Sequence, residues 1–337
     1  MAKRHGKLFE QICDPDNLRL AYHKARLGKS TMANVQRFEL DVEGNLATIR
    51  RSLLEKSFTT APYHSKMIYV PKTRVIYILP FSPDRIVQHA ILNILEPIWD
   101  GLMIDDSYAC RIGKGQHAGS RRTMEFARHY KYCLKADVSK FYPSIDHDVL
   151  FEIIQKKIKC RDTLDLLRDI IYSFPGGKNA PIGNYTSQWF GNLYLNELDH
   201  LVKHHFRVKG YLRYCDDFCL FHDDKGFLRE MKEVLRQFLD NRLRLTYSHA
   251  EVFPVSQGVD FLGYRHFPSG YVLLRKSTAK RVKQRLARLP GQLAKGKITP
   301  EQYRSSLAST RGWFKWANTH NLALALRLDE LEQHLAA

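Results

Sequence analysis

The chain has 337 residues, 44% hydrophobic and 26% charged, enough apolar material for a core divided over two or three lobes. No apolar run is long enough to cross a bilayer, and basic residues 1–7 are followed by no signal-peptide-like stretch. The six cysteines have no zinc-type spacing, so a cytoplasmic chain with reduced thiols is expected, while 53 Lys and Arg against 35 Asp and Glu, a net charge of +18, suit a polyanionic partner because each neutralised phosphate releases counterions.

Residues 1–55 read as mostly helical and basic, with breaks at Asp14-Pro15-Asp16 and Gly28-Lys29-Ser30. Residues 67–70 and 75–79 are short β-branched runs around Pro71-Lys72-Thr73-Arg74, which predicts a hairpin with two cations near its turn. Ser82-Pro83-Asp84 has the form of a helix start, with Ser as N-cap and Pro at the first helical position. Behind it Ile86, Val87, Ala90, Ile91, Ile94, Leu95 and Ile98 recur at helical spacing. In 132–138, Tyr132, Leu134, Ala136 and Val138 form one face of a strand and Asp137 lies on the other. Helices are predicted over 146–159 and 192–206, and 211–222 reads as a hairpin carrying Asp216-Asp217 near its turn. A helix over 225–241 and short strands over 244–247 and 259–265 follow. After Gly270 the pattern becomes helical and basic to the end. Nine basic residues and no acidic one fall between 275 and 297. Charge of this kind is ordinarily a solvated helix face; the lack of any carboxylate over about six turns favours a polyanion.

Asp-Asp pairs are common on solvated turns, and Asp105-Asp106 and Asp223-Asp224 lack an apolar strand setting on both sides. Asp216-Asp217 differs in lying between apolar strand residues, where neighbouring like charges repel unless cations neutralise them. Phosphoryl transfer from a nucleoside triphosphate uses two divalent ions roughly 3.5–4 Å apart, bound through oxygen. Carboxylates on rigid strands meet that need, and Asp137, Asp216 and Asp217 could supply them.

At these residues a resemblance becomes plain. Tyr214-Cys215-Asp216-Asp217 resembles the YxDD box of reverse transcriptases. Leu134-Lys135-Ala136-Asp137-Val138-Ser139-Lys140-Phe141-Tyr142 resembles their motif A, continued in Pro143-Ser144-Ile145-Asp146-His147 as in group II intron enzymes. Pro181-Ile182-Gly183-Asn184-Tyr185-Thr186-Ser187-Gln188 is similar to motif B, and Phe261-Leu262-Gly263-Tyr264 to the FLG primer grip. Pro71-Lys72-Thr73-Arg74 with Asp84-Arg85-Ile86-Val87-Gln88-His89-Ala90 resembles the finger motifs.

The resemblance implies an α+β right-hand polymerase fold. A helical extension would cover 1–55 and fingers 56–131. A palm, its antiparallel sheet flanked by helices, would cover 132–270 with a finger insert around 160–185, and a basic helical thumb 271–337. Asp137, Asp216 and Asp217, with the Val138 carbonyl, would hold two Mg²⁺ ions, for which Mn²⁺ can substitute. Lys72 and Arg74, otherwise surface cations, would clamp the triphosphate. Tyr142 would be the steric gate against a 2′ hydroxyl, although alone it reads as a core aromatic. Ile182, Gly183 and Gln188 would complete the nucleotide contacts, Gly183 by permitting close backbone approach. Arg111 and Lys114 would touch the template, Phe261, Leu262 and Gly263 the primer, and Lys276, Lys280 and Arg281 the duplex backbone. An RNA template, a primer-cDNA and deoxynucleoside triphosphates are the implied partners.

The departures narrow the reading. Most of the family has Gln-Gly…Ser-Pro in motif B, where this chain has Ile182 and Gln188. That form, together with 107–119, 255–264 and 312–322, resembles the enzymes of diversity-generating retroelements. Those enzymes copy a template-repeat RNA with frequent errors opposite adenine and work with a small helical, oligomeric accessory variability protein. A prokaryotic or phage-encoded enzyme without maturase or endonuclease extension is expected. The lysine expected after motif D has no clear counterpart; His249 and Arg244 stand nearby as donors for pyrophosphate. Two other readings stand beside this one: a group II intron-like or defence-associated reverse transcriptase of ordinary fidelity, and a catalytically silent RNA-binding scaffold.

Overall fold

The computed structural model describes residues 4–69 and 73–333; Lys72 lies outside the described residues. Four helices come first: α1 (Phe9–Ile12), α2 (Pro15–Arg26), α3 (Ala33–Glu39) and α4 (Val42–Leu54). The Asp14 carboxylate caps α2 by accepting from the Asp16 and Asn17 amides, and Pro15 sits in the first turn, where no amide is needed. Leu18, Ala21, Tyr22 and Ala25 then share one buried stripe, which packs on a later helix, α5 (Ile86–Asp100). Between these helices, β1 (His64–Ile68) and β2 (Arg74–Ile78) form the antiparallel pair expected from their β-branched runs.

The predicted start of α5 is displaced. Ser82 is extended (φ −122°, ψ 137°) and makes no capping bond, the chain turns through 81–85, and the regular helix begins at Ile86. Asp84 is drawn into the interior instead, where it accepts from the Ala61 amide. Next comes α6 (Gln116–His129), which the sequence reading leaves unassigned.

The main sheet has the order β4-β5-β3-β6 and is antiparallel throughout. Its central strand β3 (Tyr132–Val138) follows the alternation read from the sequence, with Leu134, Ala136 and Val138 in the largest core cluster and Cys133 in a second cluster. After β3 come α7 (Phe141–Ser144), α8 (His147–Gln155), α9 (Arg161–Tyr172) and α10 (Tyr185–His200). The hairpin of β4 (Gly210–Tyr214) and β5 (Asp217–His222) precedes α11 (Lys225–Leu243), which packs on β3, β5 and β6.

The short strand predicted at 244–247 is replaced by β6 (Tyr247–Pro254). Arg244 adopts a left-handed conformation (φ 52°) as the C-cap of α11, and the strand that follows is a sheet edge with Ser248, His249 and Glu251 exposed. The single strand predicted over 259–265 is a tight hairpin of β7 (Val259–Phe261) and β8 (Tyr264–His266). Another strand, β9 (Val272–Leu274), precedes the helices predicted after Gly270.

The last helices are α12 (Lys276–Ala294), α13 (Pro300–Phe314), α14 (His320–Ala325) and α15 (Leu328–Gln333). They share a third core cluster that includes Tyr264, Leu274, Val282, Leu286, Tyr303, Leu307 and Phe314. Among the described residues no helix is long and apolar enough to cross a membrane.

Candidate active site

Strand register brings the predicted carboxylates together. Asp137, near the end of β3, pairs directly with Asp217, the first residue of β5; directly opposed Cβ atoms of an antiparallel pair lie about 4.5–5.5 Å apart. Asp216 occupies the two-residue turn before β5 with Cys215, whose φ of 52° is left-handed. Burial pushes the Asp217 carboxyl up to about 6, and Asp137 and Asp216 add to the shift while Lys135 and Arg275 oppose it. A like-charged pocket of hard carboxylate oxygens suits a divalent cation. Among the described residues, however, no group of three His, Cys, Asp or Glu side chains converges closely enough to hold an ion as the side chains stand. The Asp137 carboxylate accepts from the Ser248 hydroxyl of β6, and Val138 is buried beside it.

Tyr142 is half-buried. Its ring lies against Gly191 of α10, where an added Cβ would come within 3.2 Å, and its hydroxyl is close enough to Cys215 and Asp216 of the turn to feel their charge. Burial raises the hydroxyl's pKa well above the usual tyrosine value. The structure therefore places this predicted residue beside the acidic turn.

The segment 181–185 leans on β2 and α5. The Tyr77 amide donates to the Ile182 carbonyl at 2.7 Å, the Arg85 guanidinium to the Gly183 carbonyl at 3.1 Å, and the Tyr185 amide to the Gln88 side chain at 2.8 Å. Gly183 has φ 125°, and a Cβ there would meet the Tyr77 carbonyl oxygen at 2.0 Å, so the close approach needs glycine. Ile182 is half-buried, Gln188 is exposed in the first turn of α10, and Arg74 is exposed at the start of β2.

The predicted template contacts separate. Arg111 is committed internally: it bonds Asp100 at 2.6 Å and the Ile104 and Ser107 carbonyls at 2.7 and 2.9 Å. Lys114 pairs with Asp105. Phe261 is fully buried, while Leu262 and Gly263 form the β7–β8 turn with φ of 53° and 82°. The Leu262 carbonyl accepts from Gln116 of α6, and Gly263 lies against Trp313 of α13, which a Cβ would meet at 2.8 Å. Lys276, Lys280 and Arg281 are exposed on α12. Arg281, Arg285, Arg288 and Trp313 line an open cleft of about 450 Å³, and among the described residues Lys276, Lys280, Arg281, Lys283 and Arg288 have no carboxylate partner. Such a wall of unpaired cations with an aromatic face suits a phosphate backbone. The place of Trp313 in this cleft is not legible in the basic pattern alone.

His249, one of the two candidate proton donors, stands directly opposite Asp137 on β6. Arg244, the other, is held by Asp146 at the start of α8. Sequence reasoning passed over Arg213 and Asp199, which form a fully buried ion pair behind the turn. The one available signal was a lone cation within the otherwise apolar 211–214.

Comparison with known proteins adds an independent line. The family described as reverse transcriptase (RNA-dependent DNA polymerase) matches residues 64–266. Protein YkfC of Escherichia coli K12 is 24% identical over 272 residues, covering 65% of this chain and 70% of that protein. Nuclear intron maturase 4, mitochondrial, of Arabidopsis thaliana is 24% identical over 202 residues, 57% of this chain and 25% of the relative. Group II intron-encoded protein LtrA of Lactococcus lactis is 25% identical over 136 residues, 37% and 22% of the two chains. The match thus spans no more than a quarter of each of the two intron proteins.

Proposed function

Since the chain belongs to the reverse transcriptase family, the RNA-directed DNA polymerases, we propose that it extends a primer at the end of β3 and the β4–β5 turn, with Asp137, Asp216 and Asp217 as the metal-holding carboxylates. The observation that carries this reading is the direct pairing of Asp137 with Asp217 beside the turn residue Asp216. Two Mg²⁺ or Mn²⁺ ions bound there would acidify the primer 3′ hydroxyl and neutralise the triphosphate. The remaining work falls to the chain. Arg74 and Lys72 clamp the triphosphate from the fingers, the Gly183 backbone approaches the nucleotide, and the Tyr142 ring fills the space a 2′ hydroxyl would need. His249, beside Asp137, donates a proton to pyrophosphate. Residues 132–270 act as palm, and the α12 cleft of the thumb grips the template–primer through shape and phosphate.

The finer reading is error-prone copying of a template-repeat RNA for a diversity-generating retroelement, supported by Ile182-Gly183 and Ser187-Gln188. Glutamine before the glycine can hydrogen-bond near the incoming sugar, whereas isoleucine offers neither donor nor acceptor. Sequencing cDNA made on one defined RNA tests this: substitutions concentrate opposite adenine, and an even error spectrum refutes the assignment. The intron-encoded relatives favour a second reading, a group II intron-like enzyme of ordinary fidelity, and the same experiment separates the two.

A further inference from the structure

We propose that Arg213 is a positioning residue whose guanidinium holds the 215–216 turn in register with α10 and the 106–109 segment. The inference rests on the reading of Asp216 and Asp217 as metal ligands and concerns what aims them. Arg213 is fully buried in β4. Its Nε and Nη2 donate to Asp199 of α10 at 2.6–3.0 Å, and Nη1 donates to the Cys215 carbonyl at 3.0 Å. Nη2 also reaches the Ser107 hydroxyl at 3.2 Å, and both terminal nitrogens lie 3.4 Å from Asn192 oxygens.

The guanidinium thus joins three pieces of chain. Asp199 and Asn192 come from the helix that follows the 181–184 loop, Ser107 from the segment after α5, and Cys215 from the acidic turn itself. Each piece is fixed from elsewhere. Tyr211 donates to Asp199 at 2.6 Å, Arg111 grips the Ser107 carbonyl at 2.9 Å, and Asn192 donates to the Ala109 carbonyl at 2.8 Å. Main-chain bonds between Arg213 and both Asp106 and Tyr108 continue the tie. The Cys215 carbonyl is the peptide that leads into Asp216, so a bond there sets the direction in which the turn presents its carboxylates.

Well-packed apolar residues can often replace a whole buried ion pair without loss of stability. What they cannot supply is a fork with donors in several fixed directions; nor can lysine, a single flexible ammonium. A buried charge that divides its hydrogen bonds between a carboxylate and a left-handed turn suits a role in aim.

The test uses full-length protein carrying Arg213→Lys, Ser107→Ala or Asp216→Asn. Ser107→Ala is the gentle variant, since it removes one hydroxyl and leaves the ion pair intact. Amide hydrogen exchange at 215–217 without metal is expected to accelerate in both Arg213→Lys and Ser107→Ala while the centre of β3 stays protected. With Mg²⁺, the half-saturating concentration should rise roughly 2- to 12-fold in Ser107→Ala, the range of one hydrogen bond, and by more than about 12-fold in Arg213→Lys, where a charge-assisted bond is lost. Template–primer affinity should stay unchanged. Wild-type exchange and wild-type Mg²⁺ dependence in Ser107→Ala and Arg213→Lys would overturn the proposal, as would losses that merely track the unfolded fraction. Asp216→Asn keeps the two failures apart. If it extends primers normally, the metal-ligand reading falls; if it is inactive while the other two behave as wild type, only the role of Arg213 falls.

Discussion

At the residue scale, the acidic turn makes sharp demands. Asp216→Asn keeps the shape of the side chain and removes its charge, so extension should be abolished while RNA binding, assigned above to the α12 cations, should persist; a gel shift beside a primer-extension assay reads both. Tyr142→Ala should admit ribonucleotides by opening the space between Gly191 and the turn. Competition between dATP and ATP measures it, and unchanged discrimination would leave Tyr142 a packing residue. Ile182→Gln restores one hydrogen-bonding group, worth about 0.5–1.5 kcal/mol or roughly 2- to 12-fold in selectivity. Misincorporation opposite template adenine should fall by that factor more than opposite other bases, as parallel cDNA sequencing would reveal. Far from the turn, His266 is fully buried between the Ser120 hydroxyl and the Val259 carbonyl, and burial lowers its pKa to about 4. Because its folded pKa is depressed, the unfolded chain takes up the proton first as the pH drops below about 6.5. His266 therefore costs up to about 1.4 kcal/mol of stability per pH unit between 6.5 and 4, and nothing above 6.5. His89, also lowered to about 4 by burial, adds to the loss in the same window. Melting temperature should fall across that window, and His266→Gln should flatten part of the slope.

At the element scale, the closeness of β2 and the 181–184 loop predicts that Gly183→Ala is poorly tolerated. Its φ of 125° and the 2.0 Å approach to the Tyr77 carbonyl would force the loop off β2 and break the Tyr77–Ile182 bond, at a cost of roughly 1–3 kcal/mol; denaturant unfolding would measure it. The same scale shows what the sequence could reveal. β3, α8, α11 and the β4–β5 hairpin were legible because each buries one face against a core and so writes a period of 2 or 3.6 into the chain. β6 was not, since an edge strand that exposes Ser248, His249 and Glu251 carries no such contrast. α6 hides for another reason: its buried side includes Gly119, Ser120, Thr123 and Ala127, small residues that admit close approach and look like loop. The metal-ligand candidates could be named from motif spacing, yet the Arg213–Asp199 pair could not, because nothing local to residue 213 announces a partner fourteen residues earlier on another element. On α12, replacing Arg281, Arg285 and Arg288 by Gln should lower the slope of log affinity against log salt by about 2–3, near one unit per phosphate contact.

At the scale of the whole molecule, a net charge of +18 suits a polyanionic partner. If the retroelement reading holds, the chain should form a stable complex with a small helical oligomer that helps to bind the RNA. Light scattering on the co-expressed pair would report one species of summed mass, and separate elution of a monomer would count against it. The tryptophans add an optical consequence of the packing. Trp99 and Trp189 are buried in the main core, whereas Trp313 lines the arginine cleft and abuts Gly263, and Trp316 stacks on His117. Emission from the first pair should be indifferent to nucleic acid. A base or phosphate entering the cleft changes the polarity and the quenching around Trp313, so the protein carries its own fluorophore at the place where the duplex would arrive. Titration with a template–primer should shift the red, solvent-sensitive part of the spectrum, and Trp313→Phe should leave the titration dark.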